Sequence, residues 1–415
     1  MITRRLVCLF PGFEPMRADA HIKRFRRGAE CAAALWDLAI GIEQPADNAG
    51  PHSLFPRLRV RTGGGATGNP PWRTDTEIVI FDWGDLILAY GARPVWKRLA
   101  TGYLGLADVF ASGTAFRYFR ISWRYGLFYL FPILILFGAG GLGLLLGSLA
   151  KGLAVNLGPL AAAAIGIATG LIVLGGLLFL AQRRLHLLTA LDDWAMARDI
   201  CRDRNLDIRN RIALQARQLA TCFAEAGADP DTEVVVAAHS LGAVMAVSAM
   251  AQALQDNAGG GPQPHILTVG SSLMKTALHP AARQQRTAVK DLTVKHKLPW
   301  TDCQALSDPI NFYKSNPTAS LGIEDARTPR VVRVHFKKLV KPDTYKRIKR
   351  DFFRLHRQFV LPVERRAPYS FHLLLIGPNR LARFAYDESV DVPPLKAQPG
   401  PPKDISANAP NGEPA

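Results

Sequence analysis

Ala238-His239-Ser240-Leu241-Gly242 is the stretch of this chain best suited to covalent chemistry. Before it, Glu233-Val234-Val235-Val236-Ala237 reads as a short buried strand; after it, Ala243 to Gln255 reads as a helix rich in Ala, Met and Val. A serine on a tight turn between strand and helix has its hydroxyl lifted off the end of a sheet, the arrangement of a nucleophile elbow. Small residues must flank it, because the backbone there is crowded and can require φ > 0. The pattern is A-x-S-x-G rather than G-x-S-x-G, so Ala238 is expected to strain the turn more than a glycine would. The competing reading is a chance match in an alanine-rich chain; the strand before and the helix after weigh against it.

A serine is a useful nucleophile only when a base takes its proton, a carboxylate orients the base and donors receive the oxyanion. With an elbow of this kind the acid follows the serine in the chain, and the base follows the acid. Asp308, after a short apolar run ending near Leu306 and before Pro309, is the better acid; Asp302 is its rival, read otherwise as a turn residue beside Trp300. His335 falls inside a confident strand, and His265, His279 and His296 precede the acid. That leaves His356 and His372 as bases, with His356 ahead because it follows the last strand sooner; the alternatives are an exposed position on a basic helix for His356 and a satisfied apolar-segment histidine for His372. His239 is set aside as the base, since neighbours on such a turn point apart; it is expected to support the elbow by hydrogen bonding. The oxyanion donors are expected to be the N–H of Leu241 and that of Phe13, where Pro11-Gly12 lets the backbone turn after the first strand.

These residues need a sheet to hold them. Strands are expected at Leu6–Phe10, Leu54–Arg61 (more exposed), Glu77–Asp82, the elbow strand, His265–Val269, within Lys297–Leu306, and Arg330–Phe336. Helices are expected at Ala18–Ile42, from Pro94 onward, at Leu185–Cys201 and Leu206–Ala226, and at Asp343–Phe359. Alternating strands and helices imply an α/β fold with a mostly parallel sheet covered on both faces. Gly63-Gly64-Gly65-Ala66-Thr67-Gly68 matches G-x-G-x-x-G, but Asn69-Pro70-Pro71 cannot open a dinucleotide-binding helix, so it reads as a flexible loop. No organic cofactor and no metal is expected: the five cysteines are scattered, without a C-x-x-C or a metal-ligand spacing, a set that a reducing cytoplasm tolerates.

Tyr125–Leu149 and Leu157–Ala181 contain no charged residue, and each is long enough to cross a hydrocarbon core of about 30 Å. Their glycines suit close packing of two spans and allow homo-oligomer contacts. Arg117, Arg120, Arg124, Arg183 and Arg184 flank the outer ends, against Lys151 alone in the loop, so the positive-inside rule puts both soluble parts in the cytoplasm. No secretory signal precedes the first strand. The expected location is a bacterial-type inner membrane, and Phe116–Tyr125 suits the headgroup level. The net charge of +17 then reads as contact with anionic lipid rather than nucleic acid, for which no binding motif is present.

Taken together, the elbow resembles that of the α/β-hydrolase superfamily, most closely lipase-like members whose elbow reads G-H-S-x-G. The opening strand ending in Pro11-Gly12-Phe13-Glu14 is similar to that of bacterial membrane proteins whose hydrolase domain is split by a transmembrane pair. The resemblance implies residues 1–115 and 185–388 as two parts of one hydrolase-type domain, split by a hairpin with its interfacial flank at 116–184; residues 389–415, rich in Pro, Ala, Gly and Asn, read as a disordered tail. It also implies hydrolysis of an ester or thioester through an acyl-enzyme, with Ser240 attacking, His356 or His372 moving the proton and Asp308 holding the imidazole. An acyl-lipid substrate follows from location alone. The alternative is an inactive hydrolase-fold scaffold that binds lipids or a partner protein; a transporter built on the hairpin is disfavoured by spans without an intramembrane charge.

Overall fold

The computed structural model describes residues 1–44, 53–64, 71–227, 229, 231–256 and 263–386. Eight strands form one sheet: β1 (Arg4–Phe10), β2 (Ala39–Glu43), β3 (Arg57–Gly64), β4 (Trp72–Ile80), β5 (Thr232–His239), β6 (His265–Val269), β7 (Trp300–Ala305) and β8 (Arg330–Val334). Their spatial order is β2-β3-β4-β1-β5-β6-β7-β8, with β4 through β8 parallel and β2 and β3 antiparallel at one edge. Side chains alternate across the sheet. Leu6, Cys8 and Phe10 join the core under the helices Leu206–Ala226 and Gly242–Asp256, while Val7 and Leu9 join the core under Ala18–Trp36 and Phe371–Ile376. The mostly parallel α/β architecture expected from the sequence is therefore observed.

β1 has β4 on one side and β5 on the other, so the chain reverses its direction of growth across the sheet between β1 and β5. At such a reversal the loops leaving the two strands part and open a crevice at their carboxyl ends. Pro11-Gly12-Phe13 and Ser240 leave β1 and β5 there. The pair is locked from below by Arg5, which donates to Glu233 at 2.8 Å and to the carbonyls of Leu375 and Gly377.

Several boundaries differ from the sequence reading. The first helix stops at Trp36, because Asp37 turns left-handed (φ 56), and Ala39–Glu43 pairs with β3 instead. Gly63 and Gly64 extend β3 opposite Arg73 and Trp72 rather than forming a loop; residues 65–70 lie outside the described residues. The basic helix expected over Asp343–Phe359 is two short helices, Pro342–Ile348 and Phe352–Arg357, because the Asp351 side chain caps the second by accepting from the Arg354 N–H at 2.9 Å. His335 lies just past β8, at the start of a short helix, rather than within the strand. The tail expected at 389–415 is outside the described residues.

Between β4 and β5 the chain forms two long apolar helices, Trp123–Leu153 and Pro159–Leu185. Both have the length and composition to cross a membrane, and only 22% and 6% of their most apolar stretches are buried, unlike the core helix of a soluble domain. The first runs past its uncharged segment at both ends; the second starts only at Pro159, after Gly158 (φ 90), and runs on to Leu185. Gly143 and Gly147 face Gly166 and Gly170: a Cβ on Gly147 would lie 2.6 Å from the Gly166 carbonyl oxygen, and one on Gly143 2.8 Å from that of Gly170. These four glycines serve contact within the hairpin.

Candidate active site

The elbow is present at the end of β5. Ser240 is left-handed (φ 54), which aims its side chain away from the strand it terminates. Its N–H donates to Val269 O at 3.2 Å and its carbonyl accepts from the Ser272 N–H at 3.1 Å, so β6 fixes both sides of the turn. The expected strain at Ala238 is absent: Ala238 stays in strand register with Phe10 and Thr268, and the left-handed position falls on Ser240. The glycine that the turn requires is Gly242. A Cβ there would lie 2.2 Å from the Pro11 carbonyl oxygen, so only glycine lets the elbow helix start against the β1 loop. Gly12 closes the same contact from the other side; its Cβ would lie 3.0 Å from that of Ser240.

Asp308 and His356 come together. His356 Nδ1 lies 2.7 Å from Asp308 Oδ2, and both side chains are buried. Asp308 Oδ1 accepts the Ile310 N–H at 2.9 Å, which fixes the carboxylate plane. Asn311 pins the acid loop, donating to the carbonyls of Ala305 and Asp308 at 2.9 and 2.7 Å. His356 Nε2 is buried and, among the described residues, has no hydrogen-bond partner. It belongs to a cavity of about 240 Å³ whose wall also includes Ser240, Phe13, Ile310 and Phe353. Ser240 Oγ sits 3.5 Å from Ser272 Oγ rather than in a hydrogen bond to the His356 ring.

The rivals are placed elsewhere. Asp302 is buried within β7, accepting from Thr268 Oγ1 at 2.6 Å and Gln304 Nε2 at 2.7 Å; burial pushes its carboxyl up. His372 is not brought to Asp308. It packs against Phe25 and Gly28, where a Cβ on Gly28 would lie 1.9 Å from its Nε2. Burial, aided by Arg24, pulls its ring down to about 3, so it is a neutral packed histidine rather than a base. Phe13 borders the cavity beside Ser240, and Leu241 follows the serine with its side chain in the core.

The hydrogen bond found for His239 runs to His356 rather than within the elbow. The His239 ring lies against that of His356 (centroids 4.8 Å apart), with Nε2 3.4 Å from the His356 carbonyl oxygen. Burial, and then His356, hold it well below the usual imidazole range, hence neutral. Glu14 stands 3.9 Å from His239 Nδ1. Burial alone would raise the Glu14 carboxyl, but Arg24, bonded to it at 2.5 and 3.0 Å, holds it at about 2. On the far wall Asp193 takes the ammonium of buried Lys275 at 2.5 Å. Sequence reasoning did not find Glu14, Ser272, Asn311 or Asp193. Only Glu14 carried a signal, as the residue after Phe13.

Among the described residues, no group of three or more His, Cys, Asp or Glu side chains is placed to hold a metal ion. No family model matches the chain, and no curated protein or solved structure matches it.

Proposed function

We propose that this protein is a membrane-anchored serine hydrolase that cleaves carboxylic esters through an acyl-enzyme, on a sheet of the α/β-hydrolase type. The observation that carries the reading is the convergence on one cavity of a left-handed serine at a strand–helix turn and a buried imidazole held by a carboxylate at 2.7 Å. Three loops distant in sequence supply these groups, and structural packing alone does not ask for that combination.

In the proposed reaction Ser240 Oγ bonds to the ester carbonyl carbon as its proton passes to His356 Nε2. The Asp308 carboxylate accepts from Nδ1–H, fixing the tautomer and stabilising the imidazolium. The N–H groups of Phe13 and Leu241 receive the oxyanion. The proton then goes to the leaving alcohol as its C–O bond breaks. A water repeats the sequence on the acyl-enzyme and releases the acid. The hairpin supports anchoring by its length, apolar surface and low burial, and the flanking arginines support cytoplasmic soluble parts at an inner membrane.

The test is hydrolysis of p-nitrophenyl butyrate by the detergent-solubilised full chain. Activity that Ser240→Ala lowers at least about 10³-fold supports the reading. A folded protein equally active with and without Ser240 refutes it.

A further inference from the structure

The acid loop and the base helix both rest on the foot of the hairpin. Phe312, four residues past Asp308, stacks on Tyr125 in the first turn of the first span, with ring centroids 3.8 Å apart. Phe352, four residues before His356, packs on Phe128 and Phe131 of the same span at 5.8 and 5.2 Å. Arg124 reaches the Leu306 carbonyl at the end of β7. The catalytic loops are thus built onto the turns at which the first span begins.

The second span ends at the cavity itself. His186 terminates that helix in a left-handed conformation (φ 51) and forms part of the cavity wall, as do Thr189 and Asp193 on the next helix. Its ring stands edge-on to Phe353 on the base helix, 5.7 Å between centroids. Its side chain keeps 45% of its surface exposed, so this contact borders an opening rather than sealing it. Phe13, Pro15, Met16, Ile310 and Phe353 give the wall apolar surface, beside the charged Glu14, Asp193 and Arg357. The volume of about 240 Å³ falls below the roughly 300 Å³ at which sites that enclose a whole drug-sized ligand begin. The site therefore encloses an ester group and a portion of chain, and the remainder of a long substrate must lie outside, at the foot of the spans.

We infer that the ester cleaved at Ser240 belongs to an acyl lipid resident in the bilayer, which reaches the serine sideways past the exposed rim of the cavity that His186 and Phe353 form. The inference rests on the hydrolase reading above. A substrate drawn from the leaflet need not leave the hydrocarbon completely: its reacting ester rises to the level of the span ends while its chain stays among apolar surfaces. A water-soluble ester gains none of this.

The full-length protein reconstituted in vesicles of mixed phosphatidylcholine and phosphatidylglycerol decides the matter. Two probes are used: an oleoyl ester of a fluorogenic glycerolipid dissolved in the bilayer, and p-nitrophenyl butyrate in the aqueous phase. The expected result is that the bilayer ester is cleaved and, at a few mole per cent, slows fluorophosphonate labelling of Ser240. Phe353→Asp, which puts a charge on the apolar rim of the cavity, should lower the ratio of bilayer to soluble ester cleavage at least about tenfold. The wild-type competition stands even if that variant does not fold. Cleavage of the soluble ester without competition by the bilayer ester overturns lateral access and leaves the hydrolase reading intact. Failure to cleave either ester, with Ser240 unlabelled, removes the hydrolase reading and the inference with it.

Discussion

Asp308→Asn should abolish the chemistry while leaving the fold in place, and the reason lies in the two oxygens of the carboxylate. Oδ1 accepts the Ile310 N–H at 2.9 Å and Oδ2 faces His356 Nδ1 at 2.7 Å. In the amide only one position keeps an acceptor. The Ile310 N–H cannot donate to an NH₂ group, so the amide oxygen takes the Oδ1 position and the NH₂ turns toward His356. There it donates to Nδ1, which forces the ring proton onto Nε2, the nitrogen that must be empty to accept from Ser240. The backbone bond survives and the volume is unchanged, so stability should move by no more than about 1 kcal/mol. The wrong tautomer should cost on the order of 10³- to 10⁴-fold in rate, the scale seen when a triad carboxylate becomes an amide. The assay is the second-order rate of fluorophosphonate labelling at neutral pH, read with thermal unfolding of the same sample. Labelling within about threefold of wild type would refute the reasoning. A large loss accompanied by unfolding would also refute it, because the variant would then report on structure. Asp302→Asn serves as contrast: its bonds run to Thr268 and Gln304, so it should retain labelling.

His356→Gln should eliminate labelling and His372→Gln should preserve it, because only His356 is held by Asp308; the reverse pattern would move the base to His372. Ala238→Gly should not raise activity and should cost about 0.5–1 kcal/mol in unfolding, since Ala238 is ordinary strand, whereas Gly242→Ala should depress labelling sharply by pushing the elbow off the Pro11 carbonyl. Stability should fall as acid is added, beginning near pH 6.5. His265 and His372 are held at about 3 by burial, against an ordinary 6.5, so unfolding takes up protons below that value. Their contribution is complete above pH 6.5 and lost by about 1.4 kcal/mol per pH unit per ring down to about pH 3. Glu14, at about 2 against 4.5, adds a loss between those two values. Chemical denaturation in detergent at pH 5 and 7 should show this slope, and His372→Gln should flatten it; a flat wild-type profile would contradict the burial assignments.

Much of the parallel sheet was legible because its strands are short β-branched runs bounded by turn residues, as in Val234-Val235-Val236. The elbow was legible for the same reason, since a serine between small residues stands out between a strand and a helix. The outermost strand, β2, was not. Ala39–Glu43 continues the apolar spacing of the preceding helix, and only the left-handed Asp37 breaks it. Ala238 was misjudged because motif spacing does not tell which residue of a turn takes the positive φ. The base could not be settled from order along the chain. His356 and His372 both follow β8, and they separate only when β7 sends the Asp308 loop to one of them. Glu14, His239 and Asp193 act through contacts between distant segments, which no local pattern encodes.

The central claim is that Ser240 is an activated nucleophile. Intact-mass and peptide-mass analysis of the reconstituted full chain after fluorophosphonate treatment tests it most directly. A single adduct on the peptide containing Ser240, absent from Ser240→Ala and from His356→Gln, is the expected result. A folded protein that takes up no adduct, or carries it on another residue, would contradict the claim and leave a mostly parallel α/β fold without the chemistry.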